Sequence, residues 1–246
     1  MKIMIDEREV MAYPGEAILE VCRRENIFIP TLCYHPAFKG QGACRMCMVE
    51  IIDSRGQRKL VASCTYPVSD GLKVITSSEK IRKIRKTLAM LIAGRAQASP
   101  FAQKMAGEYE VKPFFFKGFE NEKCILCRLC VNACEEMGSA VLAAVSRGVD
   151  KRIETPYAEG AEECIGCKAC AEICPTGAIE VKEENGQRII WHKTFDLIKC
   201  ESCGREFATP EQIRFIEDKT GRKIEKFLCE GCRKRQTAEV IKEFSV

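Results

Sequence analysis

Two runs of cysteine carry the most specific chemistry in this chain. Cys124-Ile-Leu-Cys127-Arg-Leu-Cys130-Val-Asn-Ala-Cys134 is followed by Cys164-Ile-Gly-Cys167-Lys-Ala-Cys170-Ala-Glu-Ile-Cys174-Pro175. Both read C-x2-C-x2-C-x3-C, and every cysteine of the first run recurs forty positions later. Three closely spaced thiolates wrap one face of a [4Fe–4S] cube, and the fourth starts a helix that leads away. Disulfides suit a small secreted domain, whereas no signal peptide opens this sequence and triplets of cysteine fit a cube better. Zinc sites pair C-x2-C with a distant C-x2-C instead.

The doubled pattern resembles that of the two-cluster bacterial ferredoxins, in which the fourth cysteine of each run serves the other cluster. The expected ligand sets are therefore crossed. Cys124, Cys127, Cys130 and Cys174 hold one [4Fe–4S] cluster; Cys134, Cys164, Cys167 and Cys170 hold the second. Pro175 keeps the sharp turn of the pattern. Glu135 stands where the first run would carry its proline, which removes a turn constraint but no ligand.

A second arrangement lies upstream. Cys33, Cys44, Cys47 and Cys64 follow the plant-type C-x4-C-x2-C…C order with a longer first loop, which points to a [2Fe–2S] cluster. Gly40 and Gly42 let that loop curl close without a Cβ, and its free amides can face the sulfurs. A four-cysteine zinc site fits this spacing less well. Downstream, Cys200-Glu-Ser-Cys203 and Cys229-Glu-Gly-Cys232 form two C-x2-C knuckles, which suit one structural zinc. Mononuclear iron or a further [4Fe–4S] cluster are the alternatives, since both use the same four sulfurs. These sets take sixteen of the seventeen cysteines and leave Cys22 as a buried apolar thiol. His35, two residues after Cys33, reads as a loop residue hydrogen-bonding near the cluster.

The elements that must hold these ligands are legible in outline. Lys2–Ile5 and Glu9–Met11 alternate as two strands, and 16–25 reads as a helix with Ala17, Ile18, Val21 and Cys22 inward. Met48–Ile52 and Leu60–Cys64 pair around the Arg55-Gly56 turn. Ser78 caps a helix whose apolar face is Ile81, Ile84, Leu88, Leu91 and Ile92, opposite a solvated basic face of Lys80, Arg82, Lys83, Arg85 and Lys86. Pro113-Phe114-Phe115-Phe116 is an apolar patch for which core packing is the commoner explanation and packing against the ferredoxin module or a partner subunit the alternative. A helix over 134–145, a turn at Gly148, a strand at 152–154 and a closing strand at 177–181 complete the two-cluster module. Ile125, Leu126, Val131, Ile165 and Ile173 are expected to shield its clusters, and Thr209-Pro210 opens a helix inside the ribbon.

The expected fold is α+β. A β-grasp [2Fe–2S] ferredoxin domain covers 1–77, a helical spacer 78–120, a bacterial-type two-[4Fe–4S] ferredoxin domain 121–185, and a small zinc ribbon 186–246. Metal ligation lets such small modules fold without large cores. A formal net charge of +4 does not imply nucleic acid. The ribbon carries 13 Lys+Arg against 10 Asp+Glu, with a small basic cluster at Arg233-Lys234-Arg235 and few aromatics to stack on bases, so no nucleic-acid partner is expected. No apolar run approaches the roughly 18 residues of a membrane span, and so many metal-ready thiols fit a reducing cytoplasm.

Pro30-Thr31-Leu32-Cys33, Gly42-Ala43-Cys44-Arg45-Met46-Cys47 and the late Cys64 resemble the N-terminal [2Fe–2S] domain of the complex I large iron–sulfur subunit, which iron-only hydrogenases and NAD-dependent formate dehydrogenases share. The likeness covers about 1–92 and 121–182 and excludes the ribbon. The His-plus-three-Cys cluster site of those families is missing, because 95–119 hold neither residue type. No G-x-G-x-x-G follows a strand, and no catalytic domain follows the clusters before Val246. The resemblance implies a non-catalytic electron-transfer subunit with no catalytic residues of its own. Its expected partners are a flavin/NADH-binding subunit and a second redox subunit or ferredoxin, in an NAD(P)H-linked, electron-bifurcating or conventional, complex. A redox-sensing regulator with a nucleic-acid-binding ribbon and an independent ferredoxin are the competing readings.

Overall fold

The computed structural model describes residues 1–53, 55–156 and 160–243, so the last three positions of the C-terminal module lie outside the described residues. The chain divides into two compact units. The first is Met1–Asn132 with Cys174–Ala178; the second is Ala133–Ile173 with Ile179–Val246.

The first unit is built on a five-stranded sheet. Strands β1 (Lys2–Ile5) and β2 (Arg8–Met11) form an antiparallel hairpin, and the left-handed Asp6 and Glu7 make its turn. Helix α1 (Ile18–Arg24) starts where Glu20 reaches back to the Ala17 amide at 2.7 Å, and it buries Ile18, Leu19, Val21 and Cys22. Strands β3 (Met48–Ile52), β4 (Arg58–Ala62) and β5 (Lys73–Ile75) complete the order β2-β1-β5-β3-β4, with β1 and β5 parallel. A hairpin, one helix and a parallel closing strand make the anticipated β-grasp. Ile3, Ile5, Val49, Ile51 and Val74 face the helix from alternate strand positions.

Helix α2 (Glu79–Arg95) begins as expected, with Ser78 accepting the Ile81 amide at 3.2 Å. Its buried stripe is Ile81, Arg85, Ala89 and Ala93, while Leu91 points outward. The expected phase was thus off by part of a turn, and Arg85 leaves the solvated face for the interior. The small alanines let a helix missed in the sequence, α3 (Pro100–Glu108), pack closely against α2. Gln103 fastens the pair by donating to the Ala93 and Ala96 carbonyls at 3.0 and 3.2 Å. The phenylalanine patch is not a core: Phe114 and Phe115 are exposed, at 61% and 58%.

Helix α4 (Leu129–Met137) carries both Cys130 and Cys134. It ends eight residues before the expected Val145, because Gly138 and Ala140 take left-handed conformations and Ala143–Val145 becomes strand β6. Strand β6 pairs with β7 (Arg152–Glu154). In the second unit a single turn of helix, α5 (Ala169–Glu172), precedes Cys174. The closing strand expected over 177–181 is not formed. A three-stranded antiparallel sheet follows instead: β8 (Lys182–Glu184), β9 (Gln187–Ile190) and β10 (Lys193–Asp196). The C-terminal part pairs β11 (Ile198–Lys199) with β12 (Glu206–Ala208), then adds α6 (Pro210–Thr220), capped by Thr209, and α7 (Glu230–Glu243).

Candidate metal centres

At the first centre, the long loop after Cys33 folds back on the backbone of Cys64. A Cβ on Gly40 would sit 1.8 Å from the Cys64 carbonyl oxygen, so only glycine permits the approach. The four sulfurs fall into two pairs. The Cys44 amide donates to Cys33 Sγ at 3.4 Å, and Cys47 Sγ lies 3.4 Å from Cys64 Sγ. Sharing a proton with Cys33 pulls the Cys44 thiol down to about 6 and pushes Cys33 up. Cys64 does the same for Cys47, which falls to about 6 while Cys64 rises. Two pairs of thiols suit two irons, each held by one pair. His35 accepts the Ala37 amide at 3.2 Å within its own loop, as expected of a loop residue.

The two cysteine runs build equivalent cradles. Leu126 and Arg128 flank Cys127 with φ of 54° and 63°; Gly166 and Lys168 flank Cys167 with 64° and 56°. This alternation turns successive amides toward the sulfurs, the concavity that binds anions. The Leu126 amide donates to Cys124 Sγ at 3.4 Å, and the Gly166 amide serves Cys164 in the same way. The Ala178 amide donates to Cys174 Sγ at 3.4 Å.

The structure brings the thiols together in crossed sets. Burial raises Cys124 and Cys127, the latter to about 11; Glu122 adds to it at Cys124 and Cys124 at Cys127, and the neighbouring Cys174 then adds to both. Cys174 also belongs to the first compact unit with Cys124, Cys127 and Cys130. Cys134 acts likewise on Cys164, Cys167 and Cys170, again behind the larger effect of burial. Cys134, Cys164, Cys167 and Cys170 line one small cavity closed by Val141, Leu142, Ile165 and Trp191. Of the expected shielding residues, Ile165 is buried and Ile125, Leu126, Val131 and Ile173 are half-buried.

Several groups here escaped the sequence reading. Trp191 Nε1 donates to Cys170 Sγ at 3.4 Å from the left-handed turn between β9 and β10. Lys193 Nζ donates to the Glu162 and Cys164 carbonyls at 2.7 and 3.0 Å. Arg188, almost wholly buried, donates to the Gly166 carbonyl at 2.5 Å and pairs with Glu183 at 2.7 Å. A Cβ on Gly166 would press on the Phe195 ring at 2.9 Å, so the β8–β10 sheet lies directly on the second cradle.

The third centre is tighter. The sulfurs of Cys200, Cys203, Cys229 and Cys232 all lie within 4.8 Å of one another, with Cys203 and Cys229 at 3.7 Å. Four thiolates on one tetrahedral zinc, at about 2.3 Å each, stand about 3.8 Å apart. On a cube each thiolate binds a different iron, and the sulfurs spread further. Among the described residues no other group of three or more possible ligands is so compact. The Cys229 amide donates to Cys200 Sγ at 3.3 Å and pulls that thiol to about 6. Arg235 donates to Cys232 Sγ at 3.0 Å, and Lys234 pairs with Glu230, so the basic cluster is engaged within the module.

Comparison with known proteins assigns domains to the segments that carry these cysteines. Residues 1–79 match the 2Fe-2S iron-sulfur cluster binding domain; 119–181 match a 4Fe-4S dicluster domain, and 163–234 match a second dicluster description that takes in the C-terminal cysteines. A G-type subunit of the NADH-quinone oxidoreductase of Rhizobium meliloti (strain 1021) is 30% identical over 207 residues, covering 73% of this chain and 24% of that protein. The NADP-reducing hydrogenase subunit HndD of Solidesulfovibrio fructosivorans is 28% identical, covering 73% and 36%. The NADH-ubiquinone oxidoreductase 75 kDa subunit of Reclinomonas americana is 29% identical, covering 74% and 29%. The chain thus spans between about a quarter and about a third of these curated relatives. A crystal structure of NAD+-reducing [NiFe]-hydrogenase in the H2-reduced state superposes with a TM-score of 0.61 at 26% identity, covering 72% of this chain and 85% of that one. Among the described residues no helix is long and apolar enough to cross a membrane. The chain thus carries a 2Fe-2S domain ahead of 4Fe-4S dicluster domains, and over this region it is similar to the G-type and 75 kDa subunits of the NADH-quinone oxidoreductases and to hydrogenase subunits.

Proposed function

We propose that this chain is a non-catalytic iron–sulfur subunit that carries electrons within an NAD(P)H-linked complex, between a flavin/NADH-binding subunit and a second redox subunit or ferredoxin. The observation that supports this most directly is the crossed placement of Cys174 with Cys124 and Cys127, and of Cys134 with Cys164, Cys167 and Cys170, in a chain that also carries a [2Fe–2S]-type domain. Cys33, Cys44, Cys47 and Cys64 would hold the [2Fe–2S] cluster; Cys124, Cys127, Cys130 and Cys174 one cube; Cys134, Cys164, Cys167 and Cys170 the other. When bound, such clusters supply one-electron carrier sites at low potential, near roughly −400 mV for the plant-type centre. The chain's own part is to ligate, to aim amides at the sulfurs and to exclude water. Hydride chemistry needs an organic cofactor, which on this reading sits in a partner.

The C-terminal four cysteines would hold one zinc ion. The sulfur separations favour a single ion over a cube there, although the second dicluster match spans these residues. Anaerobic purification with metal analysis tests both statements. About ten irons and one zinc per chain are expected, with one [2Fe–2S] and two [4Fe–4S] signals on reduction. About fourteen irons and no zinc would replace the zinc ion by a third cube, and an iron-dependent visible band without added cluster signals would replace it by mononuclear iron. For the role itself, the purified chain should be reduced by NADH only when a flavoprotein partner is added; reduction by NADH without one, or no reduction with one, would refute it.

A further inference from the structure

Helix α2 carries a buried charge that no carboxylate opposes among the described residues. Arg85 is 8% exposed. Its Nε donates to the Met46 carbonyl at 3.1 Å, and its Nη2 donates to the carbonyls of Met48 at 3.0 Å and Thr76 at 3.1 Å. All three acceptors are neutral. The groups that act on it electrostatically are the Tyr109 phenol and the Cys47 thiol, and among the described residues no carboxylate pairs with it. The same helix treats its surface cations differently: Lys83 pairs with Glu79 and Lys86 with Glu110.

A guanidinium stays charged at any ordinary pH, and a buried charge without an anion is costly. The position of this one indicates which anion offsets that cost. Met46 and Met48 flank Cys47, so the guanidinium grips the backbone on both sides of one thiol of the first centre. The three carbonyls also prevent the side chain from swinging out to water.

We propose that Arg85 is the built-in counter-charge of the cluster held by Cys33, Cys44, Cys47 and Cys64, and that it keeps the reduction potential of that cluster above what the thiolates and amides alone would set. This rests on the reading of those cysteines as [2Fe–2S] ligands. A fixed cation in a dry surrounding stabilises the reduced cluster, which bears one more negative charge, more than the oxidised one. Arg85 is thus a positioning residue for charge, distinct from the ligands and acting beside them.

The test is a redox titration followed by electron paramagnetic resonance on the full chain, purified anaerobically, with the [4Fe–4S] signals as internal reference. Arg85→Gln is expected to shift the [2Fe–2S] reduction equilibrium about tenfold toward the oxidised form, about 59 mV for one electron. Arg85→Lys, which keeps the charge but not the fork of hydrogen bonds, is expected to shift it less than threefold. An unmoved Arg85→Gln potential, or equal shifts in both variants, overturns the proposal. If Arg85→Gln loses the [2Fe–2S] signal while Arg85→Lys keeps it, with the [4Fe–4S] signals intact in both, the need for charge is upheld. Loss in both variants leaves Arg85 only the role of fastening the loop and also overturns it. No [2Fe–2S] signal in the unsubstituted protein would instead refute the ligand assignment beneath.

Discussion

The two cysteine runs share their spacing and their cradle, yet they are dressed differently. The first is served by backbone amides in a loop preceding α4, with Arg95 and Glu122 paired at 3.7 Å nearby. The second lies under an extra sheet, β8–β10, which brings an indole N–H to a sulfur, an ammonium to the Cys164 carbonyl and a buried guanidinium to the Gly166 carbonyl. Identical ligand spacing therefore does not imply identical electronics. The difference lies in residues outside the motif, and it implies that the second cluster is the easier of the two to reduce.

The sharpest way to break this comparison is to break the crossing on which it stands. Cys174→Ala should abolish the same [4Fe–4S] signal as Cys124→Ala, and Cys134→Ala the same signal as Cys164→Ala, with about four irons lost per chain in each case. Iron analysis and low-temperature spectra check this; pairing of Cys174 with the 164–170 triplet instead would undo the assignment. A smaller but still large effect is expected at one position of the two cradles. Leu126 tolerates its left-handed conformation, but Gly166→Leu must also displace the Phe195 ring. A loss of about 2–4 kcal/mol is expected from strain and overpacking combined. Thermal melts of Gly166→Leu against Leu126→Gly read it, and a melt unchanged by Gly166→Leu would count against the sheet as a cap.

Smaller again is the expected effect of Trp191→Phe, which keeps the ring and deletes the donor to Cys170. The second cluster should become harder to reduce by roughly threefold to tenfold, about 30–60 mV, while the first stays put. If both potentials move together, the asymmetry between the runs is not set by this hydrogen bond. The mildest effect concerns the one thiol outside every ligand set. Burial, with Asp6 adding to it, pushes Cys22 up to about 12. An unfolded cysteine titrates near roughly 8.5, so folding is favoured by this group below that value and the benefit is lost as pH climbs toward 12. Alkylation of native protein at pH 8 should spare Cys22, and Cys22→Ala should flatten the stability loss measured above pH 9.

What was readable beforehand follows from how local each feature is. C-x2-C-x2-C-x3-C is legible because a dozen consecutive residues fix the cradle by themselves. The β-grasp was legible too, since Lys2–Ile5, Met48–Ile52 and α1 each announce their period. Trp191 was not, because it meets Cys170 only through the register of the β9–β10 hairpin, whereas the local pattern suggests no more than one closing strand at 177–181. Arg85 is one of five basic residues whose pattern predicts a solvated face. Its inward turn depends on carbonyls 37 and 39 positions away, which no local pattern displays. The exposed Phe114 and Phe115 misled in the opposite sense: three aromatic residues in a row look like a core, and nothing nearby in sequence says that the adjoining helices already pack on alanine.

The membership of Cys174–Ala178 in the first compact unit has a consequence for how the protein matures on the ribosome. Three thiolates of the first set leave the exit tunnel together, but their fourth companion is still to be translated, and at about 5–20 residues per second that delay lasts seconds. All four proposed [2Fe–2S] ligands, by contrast, have emerged once Cys64 is out. Nascent chains stalled between Cys130 and Cys174 should therefore accept the two-iron centre yet leave the first cube labile to chelators. A stalled chain holding that cube as firmly as the finished protein would mean that the late cysteine is dispensable for retention.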